Sequence, residues 1–101
     1  MLIYNVTTKV AHAVHTDWLN WMKNTHIPAV MQSGCFTTHY FVRLLEVDEE
    51  DGPTYAVQYH AADQAAYDRY LALFAKNLRE ETLQNWGNQI IAFRSIMQYV
   101  N

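Results

Sequence analysis

The sequence predicts an α+β domain: a four-stranded antiparallel sheet with two helices on one of its faces. Three observations predict it. Four segments alternate apolar and polar residues with period two, as strands with one covered face do. Two longer segments repeat apolar residues at helical spacing. The two middle strands are separated only by a short acidic turn, whereas each outer strand is joined to its neighbour through a helix. All 101 residues fit one domain, residues 1–101.

The first strand spans about Leu2 to Val10, with Tyr4, Val6 and Val10 opposed to Asn5, Thr7 and Lys9. Ala11 to His15 is a connection. Thr16 is placed to cap a helix that opens on Asp17, whose carboxylate suits the positive helix end. Trp18, Leu19, Met22 and His26 follow helical spacing until Pro28, which disfavours helix at Ile27 but can start a further turn, Ala29 to Gln32. Gly34 closes that turn. The second strand runs from Cys35 to about Val47, with Phe36, Tyr40, Val42 and Leu44 opposed to His39 and Arg43. Asp48-Glu49-Glu50-Asp51-Gly52-Pro53 is a turn by composition.

The third strand, Thr54 to His60, sets Tyr55, Val57 and Tyr59 against Gln58 and His60. Asp63 is a second N-cap. Tyr67, Tyr70, Leu71, Phe74 and Leu78 mark the second helix, which runs to about Asn85 with a bend near Asn77 and ends at Gly87. The last strand, Gln89 to Tyr99, sets Ile91, Phe93, Met97 and Tyr99 against Arg94 and Gln98. The order β-α-β-β-α-β is the ferredoxin-like split βαβ arrangement. The apolar strand faces are expected under the helices, and the polar faces on the uncovered side.

Composition narrows the function. Hydrophobic residues at 50% and aromatic residues at 14% supply a core, so disorder is not expected. A net charge of −3 with scattered Lys and Arg argues against nucleic acid, which calls for a basic stripe. The one cysteine, Cys35, precludes an internal disulfide and fits a reducing compartment. No signal peptide and no membrane-spanning run is read. The expected location is the cytoplasm.

Met1-Leu-Ile-Tyr-Asn-Val-Thr7, the helix Asp17 to Lys23 closing on His26-Ile27-Pro28, Ser33-Gly34-Cys35-Phe36, the acidic hairpin before Thr54 to Tyr59, and Ala92-Phe93-Arg94 carry a resemblance. Over nearly the whole chain they resemble a family of short bacterial proteins known only as a domain of unknown function. More distantly the layout resembles the dimeric α/β barrel superfamily, which includes antibiotic-biosynthesis monooxygenases, haem-degrading monooxygenases and muconolactone isomerases. The resemblance implies two sheets packed face to face, with a ligand pocket between one sheet and its own helices. It assigns the polar face, with Asn5, Thr7, His39, Arg43, Gln58, His60, Arg94 and Gln98, to the interior of a homodimer.

Several residues are candidates for chemistry. His26 ends the first helix and is the candidate acid–base group, or else a cap packed at the sheet edge. Tyr4, Tyr40 and Tyr59 on the strands, with Trp18, Trp21, Met22 and Tyr67 on the helices, are candidates to line a slot for a small organic ligand. The structural alternative is aromatic packing with hydroxyls reaching the edges. Two Arg and two His on the polar face could also hold an anion. No metal site is expected, because His12 and His15 lack a second ligand pair. No cofactor is expected either. The second helix has no histidine to ligate haem iron, and no glycine-rich loop cradles phosphate. Cys35 is expected as a small buried hydrophobe. The expected function is a dimeric domain that binds a small organic ligand or a partner protein. The alternative is a cofactor-independent monooxygenase or isomerase acting on an aromatic compound.

Overall fold

The computed structural model describes residues 1–100. The chain forms β1 (Leu2–Val10), a 3-10 turn (His12–Val14), α1 (His15–Trp21), a π-helical turn (Met22–His26) and α2 (Ile27–Gln32). It continues through β2 (Thr38–Arg43), β3 (Thr54–Ala61), α3 (Gln64–Leu73), α4 (Ala75–Trp86), a second 3-10 turn (Gly87–Gln89) and β4 (Ile90–Gln98). The strands lie in the order β2-β3-β1-β4, every neighbouring pair antiparallel. This is the ferredoxin-like fold, with both helical arms on one face of the sheet.

The two central strands match their sequence pattern. Tyr4 pairs with Tyr59, Val6 with Val57 and Thr8 with Tyr55 on the helix side. Asn5 pairs with Gln58 and Ile3 with His60 on the open side. The helix-side residues join Trp18, Met22, Ile27, Val30, Phe36 and Tyr70 in one core. Trp18 is 1% exposed and Tyr59 2%, and burying one such side chain contributes about 1.5–3 kcal/mol.

The two edge strands reverse the expected faces. The second strand is shorter than Cys35 to Val47, because a bend at Thr37 delays it to Thr38. Phe36 points to the helices and stacks on Tyr4. The bend then shifts the phase by one residue, which sends every later side chain to the other face. His39 pairs with Tyr59, Phe41 with Val57 and Arg43 with Tyr55 on the helix side, while Tyr40 and Val42 lie beside Gln58 and Ala56 on the open side.

β4 is reversed for a different reason. Ile90, Ile91, Ala92 and Phe93 are apolar at both parities, so alternation cannot choose a face. Pairing with β1 chooses it: Val6 faces Arg94 and Tyr4 faces Ile96, so Arg94 and Gln98 lie on the helix side and Ile91, Phe93 and Met97 on the open side. At this sheet edge the helices do not reach far enough to cover Ile96 and Arg94, which stay exposed.

The helices carry three local features. Pro28 has no N–H and sits in the first turn of α2. Just before it, the Ile27 N–H bonds to the Met22 carbonyl, five residues back, and the helix runs on through this wide turn where a break was expected. α1 starts at His15, ahead of Asp17, and Thr16 does not cap it. Asp63 does cap α3, its carboxylate accepting from the Ala66 N–H at 2.9 Å. The second arm bends at Phe74, with φ −125° and ψ −35°, not near Asn77. The 48–53 turn docks on the end of β1. There Val10 N–H donates to the Pro53 carbonyl at 2.9 Å, and Gly52 lies so close that a Cβ would overlap the Val10 carbonyl oxygen.

Candidate functional site

β1 and β4 meet the helices around a small cavity. Its walls are Tyr4, Val6 and Thr8 of β1, Tyr59 of β3, and Ile90, Ala92 and Arg94 of β4. From above it is closed by Trp18, Met22, His26 and Val30 of the first helical arm, and by Tyr70, Leu78, Arg79 and Thr82 of the second. Its volume is about 40 Å³, room for roughly three or four waters at about 10–15 Å³ each. A head group of a ligand fits this space, and a whole aromatic molecule does not.

The π turn delivers His26. Such turns, rare in helices, gather at functional sites, and this one brings Met22 and His26 to the same cavity as Trp18. Behind His26 the Trp21 ring stacks at 4.9 Å with an interplanar angle of 17°. Trp86 meets Trp21 edge-on at 5.7 Å. The imidazole is therefore held between indole and cavity. Burial lowers its pKa from 6.5 to about 4, with the Arg94 charge helping. His26 is a neutral base at physiological pH.

Tyr4 is the hub. Arg94 Nε donates to its oxygen at 3.0 Å and Arg79 Nη2 at 3.2 Å. Two donors fill both lone pairs of a phenol oxygen and leave its own O–H to be donated onward. Neither guanidinium has a carboxylate partner: among the described residues the one salt bridge is Arg43 to Glu49. Five buried side-chain atoms have no partner among the described residues: Trp18 Nε1, His26 Nδ1 and Tyr59 Oη, on residues that line the cavity, and His60 Nε2 and Trp86 Nε1, on residues that do not. Burial, with Tyr70 and Tyr4 nearby, pushes the Tyr59 phenol up, and burial likewise raises Tyr70. Both remain protonated donors. Indole and guanidinium can only donate, so Trp18, Arg79 and Arg94 bring donors to the site, whereas the neutral His26 ring brings one acceptor nitrogen.

The structure gathers some of the sequence candidates and separates others. His26, Tyr4, Trp18, Met22 and Tyr59 line the cavity. Trp21 backs His26 without lining it, and Tyr67 packs on the Tyr4 ring at 5.7 Å. Tyr40 does not belong to the set: it lies on the open face, 57% exposed, because of the phase shift at Thr37. The expected aromatic slot is filled, since the Tyr4 ring packs against Phe36, Tyr59, Tyr67 and Tyr70. His12 and His15 part company, His12 bonding the Glu49 carbonyl and His15 the Tyr55 hydroxyl. Among the described residues no group of three His, Cys, Asp or Glu could hold a metal ion.

Arg79 was missed, although its signal is in the sequence. Ala75, Leu78, Arg79, Thr82 and Trp86 follow the i, i+3, i+4, i+7 spacing of one helix face, and Arg79 is the charge within that stripe. Arg94 was expected on the uncovered face and instead belongs to this site.

The open face holds Asn5, Gln58 and His60, as expected, but not His39, Arg43 or Arg94. His39 lies by Tyr59, and Arg43 stands over the Tyr55 ring and bonds Glu49. Their places are taken by apolar side chains. Tyr40, Val42, Ile91 and Phe93 are 57%, 44%, 71% and 61% exposed. At the centre, Asn5 Nδ2 donates to Thr7 Oγ1 at 2.9 Å, and His60 lies between the Tyr40 and Tyr99 rings. No helix is long and apolar enough to cross a membrane among the described residues.

A family model described as a domain of unknown function (DUF4286) matches residues 1–100. No curated protein is significantly similar in sequence. Solved structures share the fold at low identity. An ethyl tert-butyl ether d (ethd) family protein of Bacillus halodurans superposes with a TM-score of 0.70 at 11% identity, over 99% of this chain and 100% of that one. SnoaB of Streptomyces nogalater, a cofactor-independent oxygenase, gives 0.65 at 14% identity, over 99% and 94%. A dimeric ferredoxin-like protein from an uncultured marine organism gives 0.66 at 12% identity, over 99% and 96%.

Proposed function

The chain belongs to the DUF4286 family of domains of unknown function, and from that premise we propose that it is a homodimer whose subunits each bind a small organic ligand in the cavity between sheet and helices. The observation that carries the ligand reading is the unpartnered Trp18 Nε1, His26 Nδ1 and Tyr59 Oη around one small cavity. Buried polar atoms without partners are costly, and a bound ligand supplies partners. The test is a fragment screen on isotope-labelled protein. Bound fragments should shift the Trp18 indole N–H and the amides near Arg94. A screen whose hits all fall on the open face, or which yields none, sinks the proposal.

The dimer reading rests on the open face. Tyr40 and Val42 on one edge, and Ile91 and Phe93 on the other, expose more apolar surface than a solvated sheet face needs. The related fold described as dimeric agrees with it. Two copies related by a two-fold axis would bring the same patch together. Light scattering should give the mass of two chains, and the mass of one chain at micromolar concentration refutes it. Buried Cys35 suits a reducing cytoplasm.

A second reading is favoured by the neutral state of His26. A neutral imidazole beside donor groups can take a proton from a carbon next to a carbonyl, the electron pair passing to the carbonyl oxygen. The C–H bond breaks, an N–H bond forms, and an enolate is left facing the donors. The likeness to a cofactor-independent oxygenase agrees with such chemistry. Deuterium exchange into an enolisable cyclic ketone should be accelerated by the protein and lost in His26→Gln. Equal exchange with both proteins rules this reading out.

A further inference from the structure

We propose that the cavity selects ligands bearing an oxyanion, a carboxylate or an enolate, and that Arg79 and Arg94 are its recognition pair. This rests on the ligand-binding reading and narrows it to a chemical class.

The protein carries a net charge of −3, yet two guanidinium groups meet at one phenol oxygen, 3.2 and 3.0 Å away, and neither has a carboxylate partner among the described residues. Like charges held together without a counter-ion repel each other. Tyr4 gives them a neutral acceptor and cannot neutralise them; an anion would. Hydrogen-bonding capacity points the same way. Trp18 and Tyr59, 1% and 2% exposed, line the cavity, their indole N–H and phenol hydroxyl have no partner among the described residues, and the Tyr4 O–H is free to donate. A ligand atom that satisfies several donors at once must be an acceptor with several lone pairs. A carboxylate or enolate oxygen is such an atom, and a guanidinium fork matches it best. Geometry agrees: the inner cavity takes a head group, and both arginines are exposed, so the body of the ligand extends outward between α4 and β4.

The experiment uses benzoate and its neutral isostere benzamide as probes, titrated into the isotope-labelled full chain. Benzoate should shift the Trp18 indole N–H and the amides of α4 and β4, and bind at least about tenfold more tightly than benzamide. In Arg79→Ala/Arg94→Ala that preference should vanish while the rest of the spectrum keeps its native pattern. Single Arg94→Lys, which keeps the charge but not the fork, should retain part of it. Equal affinity for the two probes, or a benzoate affinity unchanged in the double variant, overturns the oxyanion assignment and leaves ligand binding standing. Failure of both probes to shift any cavity residue at millimolar concentration overturns both.

Discussion

Lowering the pH should destabilise this protein through His26, and the effect can be sized. The imidazole titrates near 6.5 when unfolded and near 4 when folded, mainly through burial and then through the Arg94 charge. A group whose folded pKa is depressed favours the folded state only while deprotonated. As pH falls below 6.5 the unfolded chain takes up the proton first, so stability declines. The decline runs down to about pH 4 and stops where the folded state is protonated too. At about 1.4 kcal/mol per pKa unit, the full loss is up to about 3.5 kcal/mol, a large share of a small domain's stability. The assay is the urea midpoint and slope from pH 7 to pH 4 for the wild type and for His26→Gln, whose amide does not titrate. Carboxylates contribute equally to both proteins, so the difference between the curves isolates His26. The wild type should fall more steeply between pH 6.5 and 4, and the gap should stay constant below that. Parallel curves would show that burial does not depress the folded imidazole and would refute the assignment of His26 as a buried neutral base.

Other substitutions probe the rest of the structure. Gly52→Ala should cost about 3 kcal/mol or more in thermal or urea unfolding, because φ is +142° and the new Cβ overlaps the Val10 carbonyl; Gly34→Ala, at φ +74° with open space around it, should cost only about 1–2 kcal/mol. Tyr4→Phe removes the acceptor shared by Arg79 and Arg94; it should cost about 1 kcal/mol and change the ligand preference measured by titration. Phe93→Glu, on the open face, should convert a two-chain mass to a one-chain mass in light scattering while leaving the circular dichroism spectrum unchanged.

The sequence disclosed the fold further than the site. β1 and β3 were legible because each is central and keeps its alternation over most of its length. β2 and β4 were not. A bend at Thr37 changes parity without a glycine or proline to mark it, and the run Ile90 to Phe93 is apolar on both faces. Those two inversions moved Tyr40 out of the candidate pocket and Arg94 into it. His26, Trp18, Met22, Tyr4 and Tyr59 were found from helical spacing and strand parity. Arg79 was readable as a charge on the inward stripe of α4, but only once that stripe was traced past Leu78. That Trp18, His26 and Tyr59 would share one cavity with polar atoms left unpartnered depends on packing between three elements, which no local pattern contains.

The π turn from Met22 to His26 holds one residue more than an ordinary helix turn would. A regular helix advances about 100° per residue and the wide turn absorbs one such step, so deleting a single residue between Met22 and His26 would restore an α-helix with Ile27 and Val30 still in the core and would change which side chain of the turn meets the cavity. The sheet, the second helical arm and the open face would be untouched. Scaffold and site therefore depend on different lengths of chain. A relative one residue shorter here would keep the same architecture with a different group at the cavity wall, and an alignment that closed the gap elsewhere would hide the difference.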